Sequence, residues 1–214
     1  VQFDYFNTYF HNGGIPVKPF VLNNLSYGMY AIGVKDGKKP SACIVNTAMQ
    51  ISNSKPPLVG VSINRNNYSY KCIEKNGLFS ISVLSEETPG TVIGALGFHS
   101  GEKTDKLENI RHKVLTEGVP VIKENTCCWF LCKVIDKVET SVQALYVAEI
   151  IAGSDVSVGV PMTFDFYRTM LNGSSPKKSP TYIPPEATFD KSSGESFACS
   201  VCGYIYNDPD FSFE

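Results

Sequence analysis

The sequence predicts a mainly β protein with short helices, folded as a closed or half-closed antiparallel barrel. Short apolar or alternating stretches recur along the chain, turn residues separate them, and only two segments show a helical pattern. A chain of 214 residues with 43% hydrophobic residues can bury one substantial core and leave room for a small appended module. We therefore expect one large β domain followed by a tail.

The individual elements follow from local patterns. The predicted strands are 27–34, 42–45, 58–63, 79–84, 125–138 and 144–151. A first helix is predicted over 69–76, closed by Gly77, and a second over 88–96, where Pro89 suits the first helical turn. So few helices between the strands favour a barrel over a doubly wound sheet.

Charge and cysteine usage exclude several classes of protein. The chain has 19 basic and 21 acidic residues, without the basic stripe that nucleic-acid binding requires. No apolar run is long enough to cross a bilayer, so we expect a soluble protein without a membrane partner. Seven cysteines, five of them in apolar stretches, indicate free thiols rather than a disulfide framework. Reducing conditions, and hence a cytoplasmic location, are expected.

The composition changes near residue 172. Prolines and serines dominate 172–196, as is typical of a linker, and 197–214 remains as a separate C-terminal segment. There Cys199 and Cys202 form a C-x-x-C followed by Gly203, which is the spacing of a metal knuckle that binds either zinc or iron. The string CSVCGYIY resembles the beginning of a rubredoxin, in which four thiolates hold one iron. With two thiolates only, an iron site is expected if a second C-x-x-C follows beyond Glu214.

Five further strings occur in an order that matches a known family. They are LSYGMYAIGV from Leu25, CIVNTAMQIS from Cys43, the run from Pro56 that begins PPLVGVSINRNNYS, IGALGFHSGEKTDKL from Ile93 and PMTFDFYR from Pro161. Together they resemble the flavin reductase-like family, in the branch that contains flavoredoxin, archaeal ferric reductase and the high-molecular-weight rubredoxins. The resemblance implies an FMN-binding split β-barrel over 25–171, preceded by an N-terminal lead-in over 1–24.

The resemblance also implies a function. FMN would be reduced by NAD(P)H or an upstream carrier and would pass electrons to a rubredoxin-type iron centre, then to an external acceptor such as a flavodiiron protein. A homodimer with the flavin near the subunit interface is implied as well. No G-x-G-x-x-G follows a strand, so nicotinamide is expected to stack on the flavin. Two alternatives stay open: a stand-alone flavin or ferric reductase, and a non-catalytic flavin- or haem-binding split barrel.

The predicted FMN contacts lie on separated polar turns. The resemblance places the Asn46-Thr47 turn against the flavin ring, while amide and hydroxyl groups near the first helix, and cationic groups after the second, suit the phosphate. The candidate residues are Tyr30, Asn46, Thr47, Gln50, Ser62, Asn64, Asn67, Ser69, His99, Ser100 and Lys106.

Each of these segments also has an ordinary explanation as a turn, a helix cap or a solvated loop, so the prediction depends on their occurring together. One position departs from the family pattern. Gln143 stands where related sequences carry histidine, and glutamine can form hydrogen bonds but cannot take up a proton. We expect Gln143 to be a neighbour of the site, without a defined role.

Overall fold

The fold is known from a computed structural model, which describes residues 19–37, 39–183, 197–198 and 205–206. The strands of the main body are β1 (Tyr30–Asp36), β2 (Lys39–Val45), β3 (Ala48–Ser52), β4 (Leu58–Asn64), β5 (Leu78–Leu84), β6 (His112–Val114), β7 (Pro120–Ile122), β8 (Thr126–Glu139) and β9 (Gln143–Gly153). Its helices are α1 (Tyr68–Asn76), α2 (Gly90–Phe98) and α3 (Phe164–Met170), preceded by a 3₁₀ turn at Pro19–Asn24.

Seven of the strands form one antiparallel sheet in the order β2-β1-β5-β8-β9-β4-β3. The two edge strands, β2 and β3, are joined through Asn46 and Thr47, so the chain connects the sheet's edges at one place. Strands β6 and β7 pair separately. The predicted class, mainly β with short helices, is confirmed, and every predicted strand and helix is present within a few residues of its expected bounds.

Four strands or helices of the main body were not predicted: β3, β6, β7 and α3. Strand β3 follows directly after the predicted Asn46-Thr47 turn. Its residues Met49 to Ile51 are exposed, so the strand lacks the buried alternation that reveals a strand in sequence. It forms because its backbone pairs with β4 along one side. Helix α3 has seven residues, too few for a periodic pattern, and begins where the Thr163 hydroxyl accepts from the Phe166 backbone N–H.

Two hydrophobic clusters cover opposite faces of the sheet. Ile32, Phe79 and Tyr146 belong to one cluster, whereas Ala31 and Leu96 belong to the other, which lies under α2 and α3. Because neighbouring residues in a strand face opposite sides, β1 contributes Ala31 to one cluster and Ile32 to the other. This burial on both faces explains why β1 is an apolar run rather than an alternating one.

The glycine predicted to end the first helix has the expected role. Gly77 follows α1 with φ 65°, in the left-handed region that glycine enters without a side-chain penalty, and its N–H donates to the carbonyl of Ile73 at 2.7 Å. This cap fixes where the chain leaves α1 and enters β5. The opposite end of α1, its N-terminus, faces the polar residues described below.

The C-terminal segment is described at four residues only. There β10 (Phe197–Ala198) pairs with β11 (Ile205–Tyr206) in an antiparallel register. The predicted ligands Cys199 and Cys202 lie outside the described residues. In the described part of the chain, five cysteines are free and four of them are buried, in agreement with the prediction of unpaired thiols. Over the same residues, no helix is long and apolar enough to cross a membrane.

Candidate functional site

A cavity of about 310 Å³ opens between the end of β2, the end of β4, the first turn of α1 and the loop that follows α2. Residues 174–180, the beginning of the predicted linker, pass across it. The cavity therefore lies where four segments that are distant in sequence meet.

Most of the predicted FMN-contacting residues line this cavity. The eight that do are Asn46, Ser62, Asn64, Asn67, Ser69, His99, Ser100 and Lys106. The sequence placed them on three separate segments, and the fold brings these segments to one place. Tertiary structure thus assembles the polar set that the resemblance indicated.

Three predicted residues do not line the cavity. Tyr30 is the first residue of β1 and follows the lining residue Met29; successive side chains of an extended chain face opposite sides, and the Tyr30 side chain packs against the other core cluster. Thr47 turns back on its neighbour and donates to the Asn46 side-chain oxygen at 3.2 Å. Gln50 lies on the exposed edge strand β3, where it donates to the carbonyl of Ser52 at 3.3 Å.

Two buried amides mark one side of the cavity. Asn46 directly follows β2 and is 5% exposed, and Asn64 is the last residue of β4 and is 7% exposed. The Asn46 amide donates to the hydroxyl of Thr181 at 2.6 Å, and the Asn64 amide donates to the carbonyl of Lys178 at 3.2 Å. One N–H of each amide is therefore paired with the segment that crosses the cavity or with the residue that follows it.

The N-terminus of α1 faces the same space. Asn67 is the N-cap residue, but its side chain makes no capping hydrogen bond, and Ser69 lies in the first turn. The Ser69 hydroxyl forms a hydrogen bond with the thiol of Cys43, and burial raises the pKa of this thiol. A helix N-terminus with amide and hydroxyl side chains beside it is suited to an anion such as a phosphate group.

The loop after α2 supplies a buried cation. Lys106 is 8% exposed, and its ammonium group donates to the carbonyl of Leu96 near the end of α2. Burial lowers the pKa of Lys106, because the charged form loses its hydration. The loop itself is fixed at Gly101, where a Cβ would lie 2.2 Å from the hydroxyl of Ser41 on β2. Lys106 is therefore held against the cavity by close packing.

Residues 22–169 match the family model described as flavin reductase like domain. The chain belongs to the flavin reductase-like family. The matched range spans all seven strands of the main sheet of this flavin reductase-like protein, together with its cavity, apart from the segment that crosses the opening.

Named relatives carry the same resemblance. A high molecular weight rubredoxin of Moorella thermoacetica is 30% identical over 87% of this chain and 81% of its own length. A ferric-chelate reductase (NAD(P)H) of Archaeoglobus fulgidus is 27% identical over 74% of this chain and 94% of its own. The crystal structure of flavoredoxin from Methanosarcina acetivorans superposes with a TM-score of 0.55 at 19% identity, covering 95% of both chains, and this likeness concerns the fold.

The apolar wall of the cavity in this flavin reductase-like protein was not predicted. Met29, Ile44, Phe98, Phe164 and Tyr167 line it opposite the polar groups. A signal was present, because Phe164 and Tyr167 belong to the string PMTFDFYR that contributed to the resemblance. This string could therefore have indicated Phe164 and Tyr167 as candidates for contact with a flavin ring.

The charge of the cavity suits a phosphorylated ligand. Lys106, Lys177 and Lys178 line it, and the described lining residues include no carboxylate. A cationic, hydroxyl-rich end and an apolar end in one cavity fit a ligand with a phosphate at one end and a planar ring at the other. The residues present therefore fit FMN.

Gln143 lies beside the cavity, as expected of a neighbour. It pairs with Asn64 across β4 and β9, and its amide approaches the carbonyl of Lys178 at 3.4 Å. Its side-chain oxygen is buried without a hydrogen-bond partner among the described residues. Such an acceptor is unfavourable in a folded protein.

The predicted metal ligands cannot be placed. Cys199 and Cys202 lie in the part of the chain that is not described. Among the residues that are, no group of three or more histidines, cysteines or acidic residues could hold a metal ion.

Proposed function

We propose that the protein binds FMN in this cavity and transfers electrons from NAD(P)H, or from an upstream carrier, to a rubredoxin-type iron centre. The observation on which this depends is the convergence of eight separated polar residues, with Lys106 among them, and an apolar wall in one cavity. Membership of a family of flavin reductases supports the same assignment.

Different residues of the chain would bind the two ends of FMN. Lys106, Ser69 and the N-terminus of α1 would hold the phosphate, because cations, hydroxyls and helix N-termini all favour an anion. Phe164 and Ile44 would exclude water from the ring, and the amides of Asn46 and Asn64 would donate to its polar edge. Bound FMN would supply the exchange between hydride transfer and single-electron transfer, which these side chains cannot perform.

The electron acceptor follows from the C-terminal segment. Cys199 and Cys202 would provide two of the four thiolates of an FeS₄ site, with two more needed from beyond Glu214 or another chain. The relative from Moorella thermoacetica, named a rubredoxin, supports this route. A flavodiiron protein would be the next acceptor. Absorption spectra of the natural protein separate iron–thiolate bands from flavin bands, and zinc would give neither.

We further propose that two copies associate. The segment before Pro161 exposes Val156, Val158 and Val160, each about 60% accessible. Three exposed valines within five residues form an apolar patch that a second copy could cover. Sedimentation of wild type and of Val158→Lys tests the dimer, because a lysine buried at the interface would dissociate it.

We also propose a cytoplasmic location, with which the free thiols of the described residues are consistent.

Flavin titration tests the binding step. FMN added to the full chain should lose fluorescence as it binds, and riboflavin, which lacks the phosphate, should bind at least about tenfold more weakly if charge-assisted hydrogen bonds hold that group. Equal affinities for FMN and riboflavin would contradict the placement of the phosphate. NADH and NADPH are then added separately, and bleaching of the bound flavin identifies the donor.

A second candidate function is the reduction of ferric chelates or free flavin by the barrel alone. The similarity to the ferric-chelate reductase favours it, because that relative aligns over 94% of its own length to 74% of this chain. Ferric-chelate reduction that is unaffected by Cys199→Ala and Cys202→Ala would support this candidate over transfer through the knuckle. Bound FMN that neither nicotinamide bleaches would instead indicate a non-catalytic flavin-binding barrel.

A further inference from the structure

Residues 173–181, which we call the strap, lie across the opening of the cavity. The strap begins where Asn172, at φ 49°, turns the chain back after α3. Residues 174–180 line the cavity, although the sequence alone indicated a linker there. None of the strap residues is fully buried.

Polar contacts hold the strap at both ends. At its start, the N–H of Gly173 donates to the carbonyl of Tyr167 at 2.9 Å, and the Tyr167 hydroxyl donates to the carbonyl of Ser174 at 3.3 Å. At its end, Lys178 donates to the carbonyl of Asn66 at 2.8 Å. Within the strap, the hydroxyls of Ser175 and Thr181 form a hydrogen bond of 2.8 Å.

The strap occupies the amide donors that the cavity would offer to a ligand. Thr181 accepts from Asn46 at 2.6 Å, and the carbonyl of Lys178 accepts from Asn64 at 3.2 Å. These two amides are the buried donors that the proposed function assigns to the flavin. Each amide has two N–H groups, so the strap takes one of them and holds its own hydroxyl or carbonyl where a ligand acceptor would otherwise pair with that N–H.

Two observations indicate that this closed arrangement is easily displaced. The contact of the strap with Gln143 is weak: the Gln143 amide approaches the carbonyl of Lys178 at 3.4 Å, and the Gln143 side-chain oxygen has no hydrogen-bond partner among the described residues. The cavity beneath the strap measures about 310 Å³, at the low end of the range of about 300–1,000 Å³ typical of small-molecule sites. A flavin therefore gains both space and donors when the strap leaves.

We propose that the strap is an internal competitor of the flavin: it closes the empty cavity through Asn46 and Asn64 and is released when FMN binds. This inference rests on the proposed function, since it takes the cavity to be the FMN site. Because the strap continues through residues 182–196 to the C-terminal segment, its release would lengthen the tether of the C-x-x-C module when the cofactor is present. Flavin occupancy and the freedom of the electron-accepting module are then coupled.

Trypsin reports the position of the strap without any measurement of activity. The strap contains Lys177 and Lys178, and cleavage after either residue requires the segment to leave the barrel surface. The full chain is treated with trypsin with and without saturating FMN, and mass spectrometry of the fragments locates the cuts. Faster cleavage at these two lysines with FMN is the expected result; protection by FMN would show that the strap belongs to the loaded site and would overturn the inference.

Two variants that weaken the closed strap provide the second test. Thr181→Val removes the acceptor of the Asn46 amide and should tighten FMN binding about fivefold, the factor that corresponds to one hydrogen bond of about 1 kcal/mol. Gly173→Ala places a Cβ 2.1 Å from the far end of the Tyr167 ring, so the contact between this ring and the strap must rearrange, and a loosened strap should again let FMN bind more tightly. Thr116→Val, an exposed threonine that does not line the cavity, is the matched control and should leave affinity unchanged.

The outcomes separate this inference from the proposed function. If neither wild type nor any variant binds FMN, the proposed function fails. If wild type binds FMN but Thr181→Val and Gly173→Ala bind it equally or less tightly, with unchanged cleavage at the strap lysines, the site stands and the competing strap is refuted.

Discussion

Replacing Lys106 by methionine separates binding from folding at the proposed phosphate end. Methionine keeps most of the length of the side chain and removes its charge. A hydrogen bond from a charged donor contributes about 1.5–3 kcal/mol, so FMN should bind about 10- to 150-fold more weakly to Lys106→Met.

The effect of the same change on folding should be small. Removing a charge from a site that is 8% exposed relieves a desolvation cost, while the carbonyl of Leu96 loses its donor. Each of these effects is about 1–3 kcal/mol and they have opposite signs, so the free energy of unfolding should change by no more than about 1 kcal/mol.

Fluorescence titration with FMN and urea denaturation of the apoprotein measure the two quantities. Lys103→Met is the control, because Lys103 is exposed on the same loop and does not line the cavity. If Lys106→Met keeps wild-type affinity for FMN, or if Lys103→Met loses as much, Lys106 is not a phosphate ligand. A large loss of stability in Lys106→Met would show instead that its bond to α2 is mainly structural.

Three further predictions concern the barrel. Gly33→Ala should destabilise the fold by about 1–3 kcal/mol in urea denaturation, because its Cβ would lie 1.9 Å from a backbone carbonyl of β7. Gly94→Ala is the control: a Cβ at this position in α2 meets nothing within 4 Å, so the substitution should stabilise the fold by about 0.5–1 kcal/mol. Similar changes in unfolding free energy for Gly33→Ala and Gly94→Ala would contradict the close packing at Gly33. Folding lowers the pKa of Lys106, so between that lowered pKa and 10.5 the unfolded chain binds more protons at this residue than the folded chain does. The free energy of unfolding of wild type should therefore rise with pH over this range relative to that of Lys106→Met. A difference in unfolding free energy that stays constant over alkaline pH would refute this prediction. Tyr146→Phe, which removes a 2.8 Å hydrogen bond to Glu74, should cost about 0.5–1.5 kcal/mol in thermal unfolding, and no loss would mean that the bond adds nothing to stability.

The elements found from sequence are those whose own residues specify them. The predicted α1 and β5 meet at Gly77, where only the backbone freedom of glycine is needed, and the buried strands show apolar runs. The exposed strand β3 and the short α3 lack such patterns, since they exist through pairing with β4 and packing in the second cluster. Local signals therefore revealed the central strands and missed the elements that depend on their neighbours.

The candidate site divides in the same way. Residue type and order indicated Asn64, Ser69 and Lys106, and these do line one cavity. Side-chain direction could not be obtained from the resemblance, so Tyr30 was nominated although its neighbour Met29 faces the cavity. In a strand, a shift of one residue moves a side chain to the other face.

The sequence by itself determined the mainly β class, the family and most polar residues of the cavity, because composition, strand pattern and motif order are properties of the chain. Tertiary structure decided which faces point inward, which apolar side chains form the wall, and that residues 173–181 lie over the cavity. A proline- and serine-rich segment has the composition of a linker whether it is free or bound. The contacts that hold it include those with the amides of Asn46 and Asn64, more than a hundred residues away in sequence.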